Sequence, residues 1–250
     1  MEMMIYTIVS VKKDPERLKE LLAGMKGISG DLLFAISYLD VAAVVTNVNK
    51  GALLTDKTNA IEYAGTVEAI SHQFNVLPVR FGSIIETEDS LMNILERNHE
   101  VIQKNLLKVE DKFEFGLKVF CDTEKLATDL KSKTEAVIVS PSEKSTTPPS
   151  VSRDWLNKKL EEHRIEESIL HYVDSVIATL TEHLTKLEAI SKFRKRTSST
   201  IIIDAVFLLD KTCKKALIQL ITDIEQDHPE LNFVLTGPWP PYNFVDITIK

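Results

Sequence analysis

The sequence predicts an α+β protein of two tandem ferredoxin-like (βαββαβ) domains, the first with an added helix, the second with a long helix and a flexible linker. Three observations predict it. Strand and helix signals follow one another as βαββαβ from Met4 to Ile85, and again from Phe113 onward. Pro78 falls inside the fourth strand of the first unit; a proline has no backbone donor and is confined to sheet edges or bulges, and in this topology the fourth strand is an edge. Phe113, Phe115, Leu117, Val119 and Cys121 alternate with Glu114, Gly116 and Lys118, the period of a strand with one buried face. These signals place a first domain at 1–110 and a second at 111–250, with a linker over 132–152 and a proline-aromatic tail over 237–245.

The elements follow in order. Residues 4–11 are β-rich. Asp14 caps a helix with Pro15 at its first position and Leu18, Leu21 and Leu22 on one side. Leu32–Leu39 and Val41–Val48 read as a hairpin with Asp40 at its turn. Ile61, Ala64, Val67 and Ile70 recur at helical spacing in a segment from about Thr58 to Phe74, and Val76–Ile85 reads as one strand. Glu88–Val109 is the added helix, with Leu91, Ile94, Leu95, Val101, Ile102 and Leu106 along one side.

In the second domain, Glu135–Ser152 mixes Ser, Thr, Lys and three prolines (Pro141, Pro148, Pro149), the composition of a linker. A long amphipathic helix then runs from about Ser152 to Leu187, its stripe formed by Ile165, Ile169, Val173, Val176, Leu180, Leu184 and Leu187. Ala189–Lys195 and Thr200–Leu209 read as strands, Thr212–Asp227 as a helix and Leu231–Leu235 as the last strand.

Composition narrows the function. Apolar residues make up 44% and charged residues 27%, enough for a large core. The net charge of −7 argues against a nucleic-acid partner. The longest apolar runs, Ile201–Ile203 and Ala205–Leu209, are broken by Asp204 and are far too short to span a bilayer, so no membrane partner is expected. Cys121 and Cys213 have no metal or redox spacing, and the N-terminus carries an acid where a secretion signal would carry bases. His163 and His171 sit eight apart on the long helix, and His99–Glu100 lacks a second histidine; helix-surface histidines are expected. With eight glycines, and no phosphate loop, nucleophile elbow or carboxylate pair, the chain offers no catalytic signature, and no enzyme, cofactor or metal is expected.

Two segments stand out as candidate contacts with a protein partner. In Val76–Ser83, period-two alternation sets Leu77, Val79 and Phe81 against Arg80 and Gly82. Arg80 either meets a partner on an exposed sheet face or pairs with an acid of the added helix such as Glu86 or Glu88. In the tail, Pro238, Pro240 and Pro241 stiffen the backbone around Trp239, Tyr242 and Phe244. These aromatics either dock a partner or pack back onto their own sheet. The candidate contact residues are therefore Arg80, Phe81, Trp239, Tyr242 and Phe244. Tandem domains of this type also suit a small-molecule-sensing regulatory protein, the alternative reading.

Four blocks carry a resemblance to a known family: Tyr38–Leu39–Asp40–Val41–Ala42–Ala43–Val44–Val45, Val76–Leu77–Pro78–Val79–Arg80–Phe81–Gly82, Glu114–Phe115–Gly116–Leu117–Lys118–Val119 and Gly237–Pro238–Trp239–Pro240–Pro241–Tyr242–Asn243–Phe244–Val245. In this order, and over essentially the whole length, the chain resembles the gas vesicle protein GvpL/GvpF family; the second and fourth blocks are specific in combination. It departs from the family pattern around Tyr63–Ala64, where a histidine is expected, and in its short polar linker. The resemblance implies two α+β domains, no known catalytic activity, and an accessory role in assembling gas vesicles, the hollow protein-walled buoyancy organelles of some bacteria and archaea. It implies as partners the gas vesicle shell protein and other gas vesicle accessory proteins, and a location at the gas vesicle, with the cytoplasm as the place of assembly. A shell monomer with an apolar gas-facing side aggregates unless covered, and an acidic partner keeps such a complex dispersed.

Overall fold

A computed structural model describes residues 2–12, 14–28, 30–48, 57–122, 125–126, 128, 151–195 and 200–245. Most of the expected linker lies outside the described residues. Chain order runs β1 (Met3–Ser10), α1 (Pro15–Leu22), β2 (Leu33–Tyr38), β3 (Val41–Asn47), α2 (Lys57–Ser71), β4 (Val76–Pro78), β5 (Ile84–Ile85), α3 (Glu88–Arg97) and α4 (His99–Lys108). It continues with β6 (Lys112–Cys121), α5 (Val151–Lys186), β7 (Ile190–Lys195), β8 (Ile201–Asp210), a 3-10 turn (Lys211–Cys213), α6 (Lys214–Asp227) and β9 (Leu231–Trp239).

The strands form two sheets, ordered β2-β3-β1-β4, with β5 also on β1, and β7-β8-β6-β9. Each is the 2-3-1-4 order of a βαββαβ unit, so Pro78 and Pro238 both lie on edge strands. The chain divides into two compact units, one of Met1–Phe115, Leu208–Lys211 and Gly237–Lys250, the other of Gly116–Phe207 and Thr212–Thr236. The tail, which the sequence counts with the second domain, groups with the first unit.

In the first unit the sheet is covered on both faces. Met4, Tyr6, Val9, Ala42 and Val44 join Leu18 and Leu22 of α1 and Tyr63, Val67 and Ile70 of α2 in one cluster. The other face is covered by α3 and α4, whose Leu91, Leu95, Ile102 and Leu106 are buried. Two covered faces explain why β1 and β3 read as nearly continuous apolar runs instead of alternating. The register of β1 on β3 shifts between Ile5 and Thr7, so Tyr6 is the extra residue. This lets Tyr6 and Val9 share a face, and the Tyr6 hydroxyl accepts the Ile28 N–H at 2.9 Å.

Several elements differ from the sequence reading, each for a local reason. The added helix is two helices, broken at Asn98, whose side-chain amide donates to the Ile94 carbonyl at 2.8 Å and whose backbone is not helical. The strand expected over Val76–Ile85 is interrupted. β4 ends at Pro78, Gly82 adopts φ +83°, the Ser83 N–H donates to the Arg80 carbonyl at 3.1 Å, and β5 returns to β1. The last strand, expected to stop at Leu235, continues through Trp239.

In the second unit, α5 packs its Ile169, Val173, Val176, Leu180 and Leu184 stripe inward, and α6 contributes Leu217, Ile221 and Ile224. Leu117, Val119 and Cys121 are buried as the alternation of β6 requires. The edge strand β7 is guarded by Lys192, Arg194 and Lys195, and Lys195 pairs with Asp174 at 2.5 Å. Among the described residues, no helix is long and apolar enough to cross a membrane.

Candidate functional site

The site is built on the edge strand β4 and the loop after it. The Val79 N–H still donates to the Tyr6 carbonyl at 3.0 Å and the Ile5 N–H to the Ser83 carbonyl at 3.0 Å, but between them Gly82 turns the chain, so Arg80–Gly82 bulges away from β1 and Arg80 stands on a loop. The alternation that placed Arg80 on a sheet face therefore does not apply. The Arg80 side chain is exposed and makes no hydrogen bond or ion pair among the described residues; the pair expected with Glu86 or Glu88 is not formed.

Arg80 borders an open groove of about 770 Å³ lined by Ile8, Tyr63, Ala64, Pro78, Val79, Phe81, Ser83, Tyr242 and Val245 as well. Tyr63 forms its base and is 3% exposed. Its ring stacks on Tyr6 at 5.0 Å and meets Phe81 at 5.2 Å. Its hydroxyl lies against the carbonyls of Tyr6, at 2.8 Å, and Val79, and its single proton serves one at a time. Burial, then the neighbouring Tyr242 and Tyr6, raises its pKa far above the ordinary phenol value. Tyr63 is therefore a fixed neutral wall.

The second wall comes from the tail. Gly237 adopts φ +112°, and a Cβ there would lie 2.8 Å from the Glu114 carbonyl oxygen, so only glycine lets β9 approach β6 this closely. Beyond it the prolines turn the chain, and the Tyr242 N–H donates to the Pro240 carbonyl at 2.8 Å. Glu114 then clamps the tail, its carboxylate accepting the Asn243 backbone N–H at 2.7 Å and the Asn243 side-chain amide at 2.5 Å. Lys108 donates to the Phe244 carbonyl at 2.8 Å. Tyr242 is left at the groove, its pKa pushed up to about 12 by burial and by the nearby Glu68 and Glu114 carboxylates. It remains a protonated donor at any physiological pH.

Three of the five residues singled out in the sequence, Arg80, Phe81 and Tyr242, thus line one groove. The other two separate. Trp239 is 42% exposed at the end of β9 and does not line the groove, and Phe244 is fully buried at 0% exposure. Phe244 is a core anchor, so its placement corrects the reading of the three tail aromatics as one surface patch. Glu114 is a second correction: alternation put it on the open face of β6, yet it is 3% exposed because the tail covers it. Its only signal in the sequence was an acid set among aromatic and apolar strand residues. Of the histidines weighed in the sequence, His163 and His171 are exposed on the long helix as expected, and His99 departs. His99 is partly buried, and its Nε2 donates to Asp40 Oδ1 at 2.7 Å. Among the described residues no group of His, Cys, Asp and Glu is arranged to hold a metal.

The comparisons with known proteins agree with this architecture. The profile described as "Gas vesicle synthesis protein GvpL/GvpF" matches residues 3–246. The chain is similar to gas vesicle protein F1 of Halobacterium salinarum, 23% identical over 235 residues, covering 92% of this chain and 90% of the relative. It is also similar to gas vesicle protein L of a Streptomyces species, 20% identical over 245 residues, covering 90% and 87%. In fold it matches the crystal structure of GvpF from Anabaena sp. PCC7120 with a TM-score of 0.77 at 18% identity, covering 99% of this chain and 97% of that one. The GvpF structure from Microcystis aeruginosa matches with a TM-score of 0.75 at 17% identity, covering 98% and 99%. With a match across nearly its whole length, the chain belongs to the gas vesicle synthesis protein GvpL/GvpF family.

Proposed function

We propose that this protein acts in gas vesicle assembly as a binding partner of the hydrophobic shell protein, together with other accessory proteins, and that it transforms no substrate. In this reading it meets shell protein in the cytoplasm and delivers it to the growing vesicle. The observation that carries the proposal is the groove itself: apolar walls from Ile8, Ala64, Pro78, Val79, Phe81 and Val245, bordered by an exposed Arg80 that pairs with no described residue. An apolar groove of about 770 Å³ has the size of a ligand-binding pocket, which runs to about 300–1,000 Å³. It suits side chains of an apolar partner better than strand addition does. β4 is three residues long and includes Pro78, so this edge offers few backbone donors to an added strand.

Capture of purified shell protein by the intact chain, by Arg80→Ala and by Tyr242→Ala tests the reading. Arg80 and Tyr242 are exposed enough that both variants keep the fold, as melting curves will verify. Weaker capture by both variants supports the groove. Equal capture by all three proteins removes the groove from the account, and no capture by the intact chain removes the function.

A further inference from the structure

We infer that the groove reads an extended peptide segment of the partner in which a carboxylate lies next to an aliphatic side chain. This rests on the proposed function and adds to it the chemistry of what is recognised. The walls supply the aliphatic half of the match, since nearly every lining side chain apart from Arg80, Ser83 and the two tyrosines is apolar. Arg80 supplies the other half. A guanidinium offers five donors in a planar fork that fits a carboxylate with two parallel bonds, and here none is taken by another described side chain.

Charge complementarity selects the acid and its position. Arg80 is a cation that pairs with no acid among the described residues, on a protein of net charge −7. At the tail wall the charged groups near Tyr242 are spoken for, Glu114 by both donors of Asn243 and Lys108 by the Phe244 carbonyl. A carboxylate on the occupant is therefore drawn to the Arg80 side. The Tyr242 and Ser83 hydroxyls remain for the occupant's backbone carbonyls. The groove is open, as an extended chain needs, and does not enclose its occupant as it would a small metabolite.

The test uses three dye-labelled, end-blocked heptapeptides that differ only at the centre: Leu-Glu-Leu, Leu-Gln-Leu and Leu-Lys-Leu. Binding to the full chain is read by fluorescence polarisation at low and high salt. The acidic peptide is expected to bind about tenfold more tightly than the amide peptide, the scale of one partly shielded charge-assisted contact, with the lysine peptide weakest. The preference is expected to shrink at high salt. Arg80→Gln is expected to abolish it, Arg80→Lys to keep part of it. Equal binding of the acidic and amide peptides, an unchanged preference in Arg80→Gln, or no binding of any peptide overturns the inference. Shell-protein capture by the intact chain, measured alongside, separates the two claims. Capture without acid preference sinks carboxylate reading alone, whereas peptide preference without capture sinks the vesicle function at this groove.

Discussion

The Glu114 carboxylate takes both donors of Asn243, the backbone N–H at 2.7 Å and the side-chain amide at 2.5 Å. A buried acid of β6 thereby holds a tail residue that follows it by more than a hundred positions, and fixes the wall on which Tyr242 stands. Glu114→Gln keeps the volume but turns an acceptor oxygen into a donor facing donors. It is expected to cost about 2 kcal/mol in denaturant unfolding, the scale of hydrogen bonds to a charged group. Limited chymotrypsin digestion is expected to cut faster at Tyr242. A double mutant with Asn243→Ala should cost less than the sum of the two singles, as partners in one contact do. Strict additivity would show that the clamp is not energetic.

Phe244 and Trp239 lie five positions apart in the tail but belong to different environments, 0% and 42% exposed. Phe244→Ala is expected to cost about 3–5 kcal/mol, the range for emptying a buried aromatic site. Trp239→Ala is expected to stay below about 1 kcal/mol. Thermal melts of the two variants check this, and similar losses for both would contradict the assignment of Phe244 as the anchor.

Asp40, on the turn between β2 and β3, accepts from His99 Nε2 through Oδ1 at 2.7 Å, and the Gln103 Nε2 donates to both its oxygens, Oδ1 at 3.1 Å and Oδ2 at 2.9 Å. Burial alone would raise its pKa, but the bonds from His99 and Gln103 outweigh burial and hold the carboxyl below its ordinary value. A depressed folded pKa means stability that is complete above the unfolded value of about 3.9 and is lost as pH falls through the folded value. Asp40→Asn is expected to cost about 1–2 kcal/mol near neutral pH. The gap between wild type and variant should shrink below about pH 4, as paired denaturant titrations at several pH values would show. A gap that widens on acidification would contradict the sign.

Leu39 occupies the turn beside Asp40 with φ +51° and 73% of its surface exposed. A left-handed backbone costs an L-residue about 1–2 kcal/mol, and asparagine tolerates it better than leucine. Leu39→Asn is expected to raise the unfolding free energy by about 0.5–1 kcal/mol. A loss of stability would show that the leucine makes contacts that outweigh its backbone.

The sequence by itself determined the order of elements, the two βαββαβ units and the edge position of Pro78, because periodicity and the missing proline donor are local properties of the chain. It also drew attention to Arg80, Phe81 and Tyr242. What only the tertiary structure decided is that these three share a groove, that Phe244 turns inward, and that Glu114 is buried. Alternation along β6 records which face meets its helices, but not that a tail closes over the opposite face at one end. The split of the added helix and the break after Pro78 rest on Asn98 and Gly82, single residues whose effect depends on the neighbours they meet. Contacts between segments more than a hundred residues apart leave no period in the sequence, and the groove is made of such contacts.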